Sequence, residues 1–385
     1  MLANFIRSIP STVKRLGPKS RALFVTGNES ADLDSCASSI LTAYFYHQSL
    51  NEATTNALRP DAVIPLLNIP RQDINLRPEL LYLLSQLGVN ASNLFCLDDL
   101  TTLISDGTVV KSNCHAFLVD FNRLTGTLAD LIDDRVVGIL DHHDDEGYYK
   151  SANPRIVQKT GSCSSLVVNY WNNQLSGLSM DDQGLLQLAC APLLVDTANL
   201  TSKVEKPDLE SFEILKQSSK DFPYNAFFQT VQSHKKNLEG MSGRDILRKD
   251  YKQWDNEGSS TKMRLGISSV QQSLDWLVNE HTQFDKDILN SADERSVDVY
   301  VVMTSFIKDD KFSRELIIYP IATSSKPLIE KFLAGAKEKF QLEPKQSPFN
   351  NSDVMVFNQL DTKSSRKQVG PSLRQTLHGV QLSNI

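Results

Sequence analysis

No stretch of this sequence is apolar for anything close to the roughly 20 residues that a membrane-crossing helix needs, so no membrane partner is expected. Cysteine is sparse as well: Cys36, Cys96, Cys114, Cys163 and Cys190 are scattered, odd in number and never spaced as C-x-x-C. That excludes a disulfide framework or a zinc knuckle and points to buried free thiols in a reducing compartment. An excess of positive charge is missing too. With 40 Lys and Arg against 46 Asp and Glu the net charge is −6, so bulk electrostatics advertise no polyanion partner. An anionic substrate must be met by local basic groups or by metal ions. Aromatic residues do not alternate with basic ones, so no stacking platform for nucleic acid is expected. Acidic residues are absent from Met1 to Asn28, where Arg7, Lys14, Arg15, Lys19 and Arg21 are basic. This composition fits a mitochondrial leader. It fits equally an amphipathic helix bounded by Pro10 and Pro18, the favoured reading, which leaves the cytoplasm as the expected location and the mitochondrial matrix as a lesser one. Internal repeats and low-complexity tracts are absent.

What is present is a chain of 385 residues, too long for one ordinary core, with the 40% hydrophobic and 22% charged content of a globular protein. Short apolar runs alternate with helical patterns: RALFVTG (Arg21–Gly27), AVIPLLNI (Ala62–Ile69), a short NLFCL (Asn93–Leu97), AFLVD (Ala116–Asp120) and VVGILD (Val136–Asp141). The alternation predicts βαβ units and a mostly parallel sheet. A polar, helical connection is expected over residues 206–234, separating residues 1–205 from a smaller α/β domain over 235–385 with strands near Leu265–Val270, Val297–Thr304, Glu315–Tyr319 and Val354–Asn358.

Four places deliver carboxylates at the ends of apolar runs or in the loop that follows one: Asp32 and Asp34, Asp120, Asp141 with His142 and His143, and Asp196 at the end of a helical run. In an open parallel sheet the crevice beyond the strand ends is where ligands bind. For D-H-H taken alone, a solvated acidic loop explains the pattern as well as a ligand site does. The set together would repel itself without cations. Two divalent ions would neutralise it and activate water for in-line attack on phosphorus. Oxygen-rich ligation with imidazole suits magnesium, manganese or cobalt. The GSCSS stretch at Gly161–Ser165 reads either as a plain helix cap or as an anion holder.

N-x-x-x-D-x-D (Asn28, Asp32, Asp34), the V-D of Asp120, Asp141-His142-His143 and the late Asp196 resemble the four motifs of the DHH phosphoesterase superfamily. GNESADLDS, NIPRQD, RIVQKTGSCSSLVVNYW, DILRKDYKQW and SRKQV are similar to its fungal cytosolic exopolyphosphatase branch, from about Leu23 to Val369. The resemblance implies a DHH domain followed by a DHHA2 domain, with the active site in the cleft between them. It implies one metal on Asp32 and Asp120 and a second on Asp34, Asp120, His142 and Asp196, with Asp120 as the bridge. Asp141 would orient an imidazole, and His143 would face the substrate as donor or acid. Lys252, Arg366 and Lys367 would grip phosphate, and Arg314, ahead of a strand, is the best further candidate among the basic residues that include Lys235, Lys236, Lys249 and Arg264. Arg71 is a weaker one. The pyrophosphatase branch begins its first motif with His where this chain has Asn28, a harder ligand that shifts the expectation toward magnesium and polyphosphate.

The activity implied is release of terminal orthophosphate from linear polyphosphate by a monomer carrying two divalent ions. The alternatives are an inorganic pyrophosphatase, a short-oligonucleotide or cyclic-nucleotide phosphodiesterase, or a catalytically silent prune-like scaffold. A silent relative is expected to have lost a ligand, and here the set is complete.

Overall fold

The computed structural model describes residues 1–50, 59–132, 135–175, 182–254 and 263–377. His378, an isolated histidine with no assigned role, lies outside the described residues. The chain divides into two compact units, Met1–Asn237 and Leu238–Ile385.

In the first unit β1 (Ala22–Thr26), β2 (Ala62–Leu67), β3 (Phe95–Cys96), β4 (Cys114–Val119), β5 (Val136–Asp141) and β6 (Arg155–Val157) form one sheet in the order β3-β2-β1-β4-β5-β6. Every neighbouring pair is parallel. Strands such as ALFVT, apolar up to Thr26, do not alternate because a parallel sheet is covered on both faces, and all of β1 is buried. The cover comes from α1 (Leu2–Lys14), α2 (Leu33–Ser49), α3 (Pro78–Gln86), α4 (Leu97–Ser105), α5 (Gly126–Ile132), α6 (Cys163–Gln174), α7 (Gln183–Asp196), α8 (Lys206–Ser218) and α9 (Tyr224–Lys236). The strand order reverses between β1 and β4. Their following loops diverge there and open the crevice that such sheets use for ligands.

Pro10, expected to bound the first helix, lies inside it. Proline removes one intrahelical bond and crowds the preceding turn. Burial of Leu2, Phe5, Ile6 and Ile9 along one face of α1 offsets that cost. The stretch 206–234 carries α8 and α9, whose Leu215, Phe227 and Val231 pack into the core of the first unit. All five cysteines are free and buried. Among the described residues no helix is long and apolar enough to cross a membrane.

The second unit holds β7 (Tyr251–Trp254), β8 (Leu265–Val270), β9 (Val299–Thr304), a separate hairpin of β10 (Phe306–Lys308) and β11 (Lys311–Ser313), then β12 (Glu315–Pro320), β13 (Leu342–Pro344) and β14 (Met355–Gln359). Its main sheet runs β13-β14-β12-β9-β8-β7. Only the β8–β9 pair in it is parallel. Successive side chains alternate faces. Val299, Val301, Met303, Leu316 and Ile318 meet α13 (Lys326–Lys339) and α14 (Arg366–Leu377). Tyr300, Val302, Ile317 and Tyr319 meet α10 (Gly243–Lys249), α11 (Leu274–Glu280) and α12 (Phe284–Glu294) on the other side.

Gly27, which joins β1 to the site loop, has no room for a side chain. A Cβ there would lie 2.5 Å from Ser35 Cβ and 2.9 Å from Ser35 Cα, in the first turn of α2. Gly27→Ala is expected to lower the unfolding free energy by about 1–3 kcal/mol in a urea titration; an unchanged midpoint would contradict this packing.

Candidate metal centre

The loop after β1 is fixed before it reaches its carboxylates. Arg77, buried, donates from Nε to the Ala31 carbonyl at 2.8 Å and from Nη2 to the Ser30 carbonyl. This steadies Ala31 in the left-handed region at φ 41°. Asp32 then caps α2, its Oδ1 accepting the Ser35 N–H at 3.0 Å. Asp34 enters the first turn, fully surrounded. Its Oδ1 accepts Ser162 Oγ at 2.9 Å, the Ser164 N–H at 2.9 Å and Ser38 Oγ at 3.2 Å, while Oδ2 accepts the Cys163 N–H at 2.6 Å. The start of α6 therefore holds an anion, and the anion is Asp34. With Oδ1 taken by three donors, Oδ2 is the oxygen that still faces His142 Nε2, at 3.9 Å.

Asp120 follows β4 directly, at φ 64°, a conformation that costs a residue with a Cβ roughly 1–2 kcal/mol. Its N–H still bonds the Leu140 carbonyl of β5 at 3.0 Å. The turn brings its carbonyl and its carboxylate onto Asn28, whose Nδ2 donates to both, at 3.0 and 2.9 Å. Ser35 Oγ donates to the same Oδ2. Asn28 Oδ1 accepts the Ser30 N–H at 2.9 Å. Both ends of this amide are thus engaged within the protein, and Asn28 acts here by holding Asp120.

Beyond β5, His142 and His143 are oriented by different acceptors. His142 Nδ1 donates to the Thr160 carbonyl at 2.9 Å, since a carbonyl can only accept. That directs Nε2 at Asp120 Oδ1, 3.0 Å away. His143 Nδ1 donates to Asp141 Oδ1 at 2.9 Å and lies 3.8 Å from Asp120 Oδ1. Its ring is about half exposed, at 55%. Asp141 is buried and is held in turn by Asn122 Nδ2 and by the His142 N–H at 2.8 Å. One potential ligand atom from each of Asp120, His142 and His143 falls within 4.8 Å of the others.

Charge follows from this geometry. Burial pushes Asp120 up to about 7 against the hydrogen bond from His142, and the charges of Asp34 and Asp32 add to the rise. Asp34 is raised by burial and by Asp32, with His142 opposing. Burial and the charge of Asp34 hold Asp196 well above the usual carboxylate range, with Lys235 pulling the other way. Asp32 and Asp196 thus join the cluster through their fields. His142 moves up to about 10: burial opposes the rise, but the bond to Asp120 and the charges of Asp34 and Asp120 outweigh it. His143 is raised chiefly by its bond to Asp141. The donor set fits a hard divalent cation, with two carboxylate oxygens and an imidazole nitrogen turned inward and the second imidazole nitrogen pinned by a carbonyl, as in metal-ligating histidines.

Of the remaining candidates, Arg71 belongs to the first unit and Lys252, Arg314, Arg366 and Lys367 belong to the second. In the second unit Arg366 donates to the Asp250 carbonyl at 2.8 Å and to Asp250 Oδ1 at 2.7 Å. This ties the start of α14 to the residue two before Lys252, which is exposed on β7, as Lys367 is on α14. Arg314 Nε donates to the Thr362 carbonyl at 2.8 Å, on the segment leading into α14. Arg71 is occupied structurally, by the Ala91 and Leu94 carbonyls and by Asp99. Asn122, Arg77, Ser35 and Thr160 hydrogen-bond the residues of the site or their backbone and were not singled out in the sequence. The single available signal was Asn122, two residues after Asp120.

Residues 22–193 match the DHH family, N-terminal domain, and residues 229–376 match the DHHA2 domain. A Schizosaccharomyces pombe protein named "Putative exopolyphosphatase" is 34% identical over 93% of this chain and 91% of its own length. The human protein named "Exopolyphosphatase PRUNE1" is 27% identical over 93% of this chain and 76% of its own. Among solved structures, a Methanococcus jannaschii "putative family II inorganic pyrophosphatase" shares the fold at a TM-score of 0.56 and 18% identity, covering 92% of this chain and 99% of that one.

A cation that takes His142 Nε2 must displace the proton which the raised basicity of that ring keeps there at neutral pH. Calorimetric titration with Mn2+ at pH 7 is expected to show release of about one proton or more per chain, read as heats that differ between buffers of different ionisation enthalpy. Buffer-independent heats would contradict this arrangement.

Proposed function

Because the chain belongs to the DHH family and carries a DHHA2 domain, we propose that it is an exopolyphosphatase, a metal-dependent hydrolase releasing orthophosphate from the ends of linear inorganic polyphosphate. The observation that carries the reading is the intact set of Asp34, Asp120 and His142, turned toward one another, in a chain whose relatives are named exopolyphosphatases. Burying like charges near each other is costly to an inert scaffold, because each ionised carboxylate taken from water costs stability unless hydrogen bonds and a counter-charge compensate it.

We assign one cation to Asp32 and Asp120 and a second to Asp34, Asp120, His142 and Asp196; magnesium or manganese suits this oxygen-rich set. When bound, such ions neutralise the carboxylates, polarise the phosphate oxygens and make water a nucleophile near neutral pH. The chain's own groups do the rest. Asp120 presents Oδ1, because hydrogen bonds occupy Oδ2, and Asp34 presents Oδ2, which accepts the Cys163 N–H while three donors occupy Oδ1. His143, held by Asp141 and raised in basicity chiefly by that bond, is the chain's proton donor, through Nε2. As water oxygen bonds to the terminal phosphorus and the anhydride bond breaks, a proton from His143 Nε2 passes to the departing chain oxygen, and the proton that the water loses restores His143. Lys252, Arg366, Lys367 and Arg314 bind the substrate, the arginines as forks on phosphate oxygens and the lysines as point charges. Five buried free thiols favour the cytoplasm as the working compartment.

Phosphate release is to be measured from tripolyphosphate, long polyphosphate, pyrophosphate and a dinucleotide with magnesium, manganese or cobalt in turn. Polyphosphate is expected to be cleaved fastest, and Asp120→Asn is expected to abolish release while the protein stays folded. Undiminished turnover in that variant, or preference for pyrophosphate or the dinucleotide, would overturn the assignment.

A further inference from the structure

We infer that Asp208 is a positioning residue for the metal centre, acting through the turn from Thr160 to Ser165. The inference rests on the reading of Asp34 and His142 as metal ligands. Asp208 lies in the first turn of α8 and is 0% exposed. Its Oδ1 accepts Thr160 Oγ1 at 2.6 Å, Ser165 Oγ at 2.7 Å and the Ser162 N–H at 3.4 Å; its Oδ2 accepts the N–H groups of Gly161 and Glu205, both at 2.8 Å. Capping α8 accounts for the Glu205 bond alone. The other four all come from the one turn.

That turn has two outputs. The Thr160 carbonyl accepts His142 Nδ1, and Ser162 Oγ with the Cys163 and Ser164 N–H groups donates to Asp34. The Asp208 carboxylate therefore fixes the segment that turns His142 Nε2 and Asp34 Oδ2 toward each other. The turn has little room to settle elsewhere. A Cβ on Gly161 would meet Thr197 Cγ2 at 2.5 Å, the Lys203 carbonyl at 2.8 Å and Asp208 Oδ2 at 3.1 Å. A carboxylate accepts at both oxygens. An amide in its place turns an NH2 toward N–H or hydroxyl donors on one side. Groups that orient metal-bound histidines in this indirect way are worth about 10- to 100-fold in metal affinity or activity.

The test is Mn2+ binding followed by electron paramagnetic resonance, alongside phosphate release as a function of Mn2+. In Asp208→Asn, one Mn2+ site is expected to weaken on the order of 10- to 100-fold. The Mn2+ needed for half-maximal release rises in step, and kcat at saturating Mn2+ stays near that of the wild type. Thr160→Val removes the hydroxyl but keeps the carbonyl, and gives a smaller loss in the same direction. Leu100→Ala in α4 is the stability control, lowering Tm without changing Mn2+ affinity. Unchanged affinity in folded Asp208→Asn, or an equal loss in Leu100→Ala, overturns the inference. Should Asp208→Asn fail to fold, Thr160→Val decides by the same two comparisons. Failure of the wild type to bind Mn2+ strikes instead at the metal reading itself.

Discussion

Asp34 and Asp120 are buried carboxylates that share the Nε2 edge of His142, at 3.9 and 3.0 Å. Taking two anions out of water and setting them near each other is costly, and the surrounding chain is arranged to meet that cost. The start of α6 gives Asp34 two backbone donors and a hydroxyl. Asn28 and Ser35 hold Asp120. The side-chain donors gather on Asp120 Oδ2 and Asp34 Oδ1, which leaves Asp120 Oδ1 and Asp34 Oδ2 turned toward His142. The hydrogen bonds thus stabilise the carboxylates and aim them at the same time.

The sheet explains why these residues meet at all. Asp34 and Asp120 are far apart in sequence, but β4 inserts beside β1, and β5 lies beside β4. The loops after these three strands then open on one crevice. The local pattern shows that apolar runs end in acidic groups. It does not show which runs become neighbours, because strand order is set by packing over the whole unit. That explains why the carboxylates were legible as a set while their pairing rested on family resemblance.

What sequence reasoning missed follows a common pattern. Arg77, Thr160 and Asp208 act through main-chain groups or through residues tens of positions away, and such partners leave no local signature. Residues 206–234 look polar and connective because α8 and α9 bury narrow apolar faces, of which Leu215, Phe227 and Val231 are the deepest. In the second unit the hairpin β10–β11 and the edge strands β7 and β13 are short, and three or four residues carry too little alternation to stand out. The central strands β8, β9 and β12 were legible because their apolar runs serve cores on both faces. Asn28 stands where the pyrophosphatase branch has an imidazole, and its contact with a metal was left open by the sequence. In the structure its amide is spent on Asp120 and Ser30, so the centre gains its rigidity from hydrogen bonding and keeps an oxygen-rich character.

The central claim is that Asp34 Oδ2, Asp120 Oδ1 and His142 Nε2 converge on one divalent cation. Anomalous diffraction from crystals grown with Mn2+ tests it most directly. The account predicts a peak bounded by those three atoms, at about 2.0–2.3 Å from each. Density for manganese elsewhere, with the three atoms turned away from it, would contradict the account.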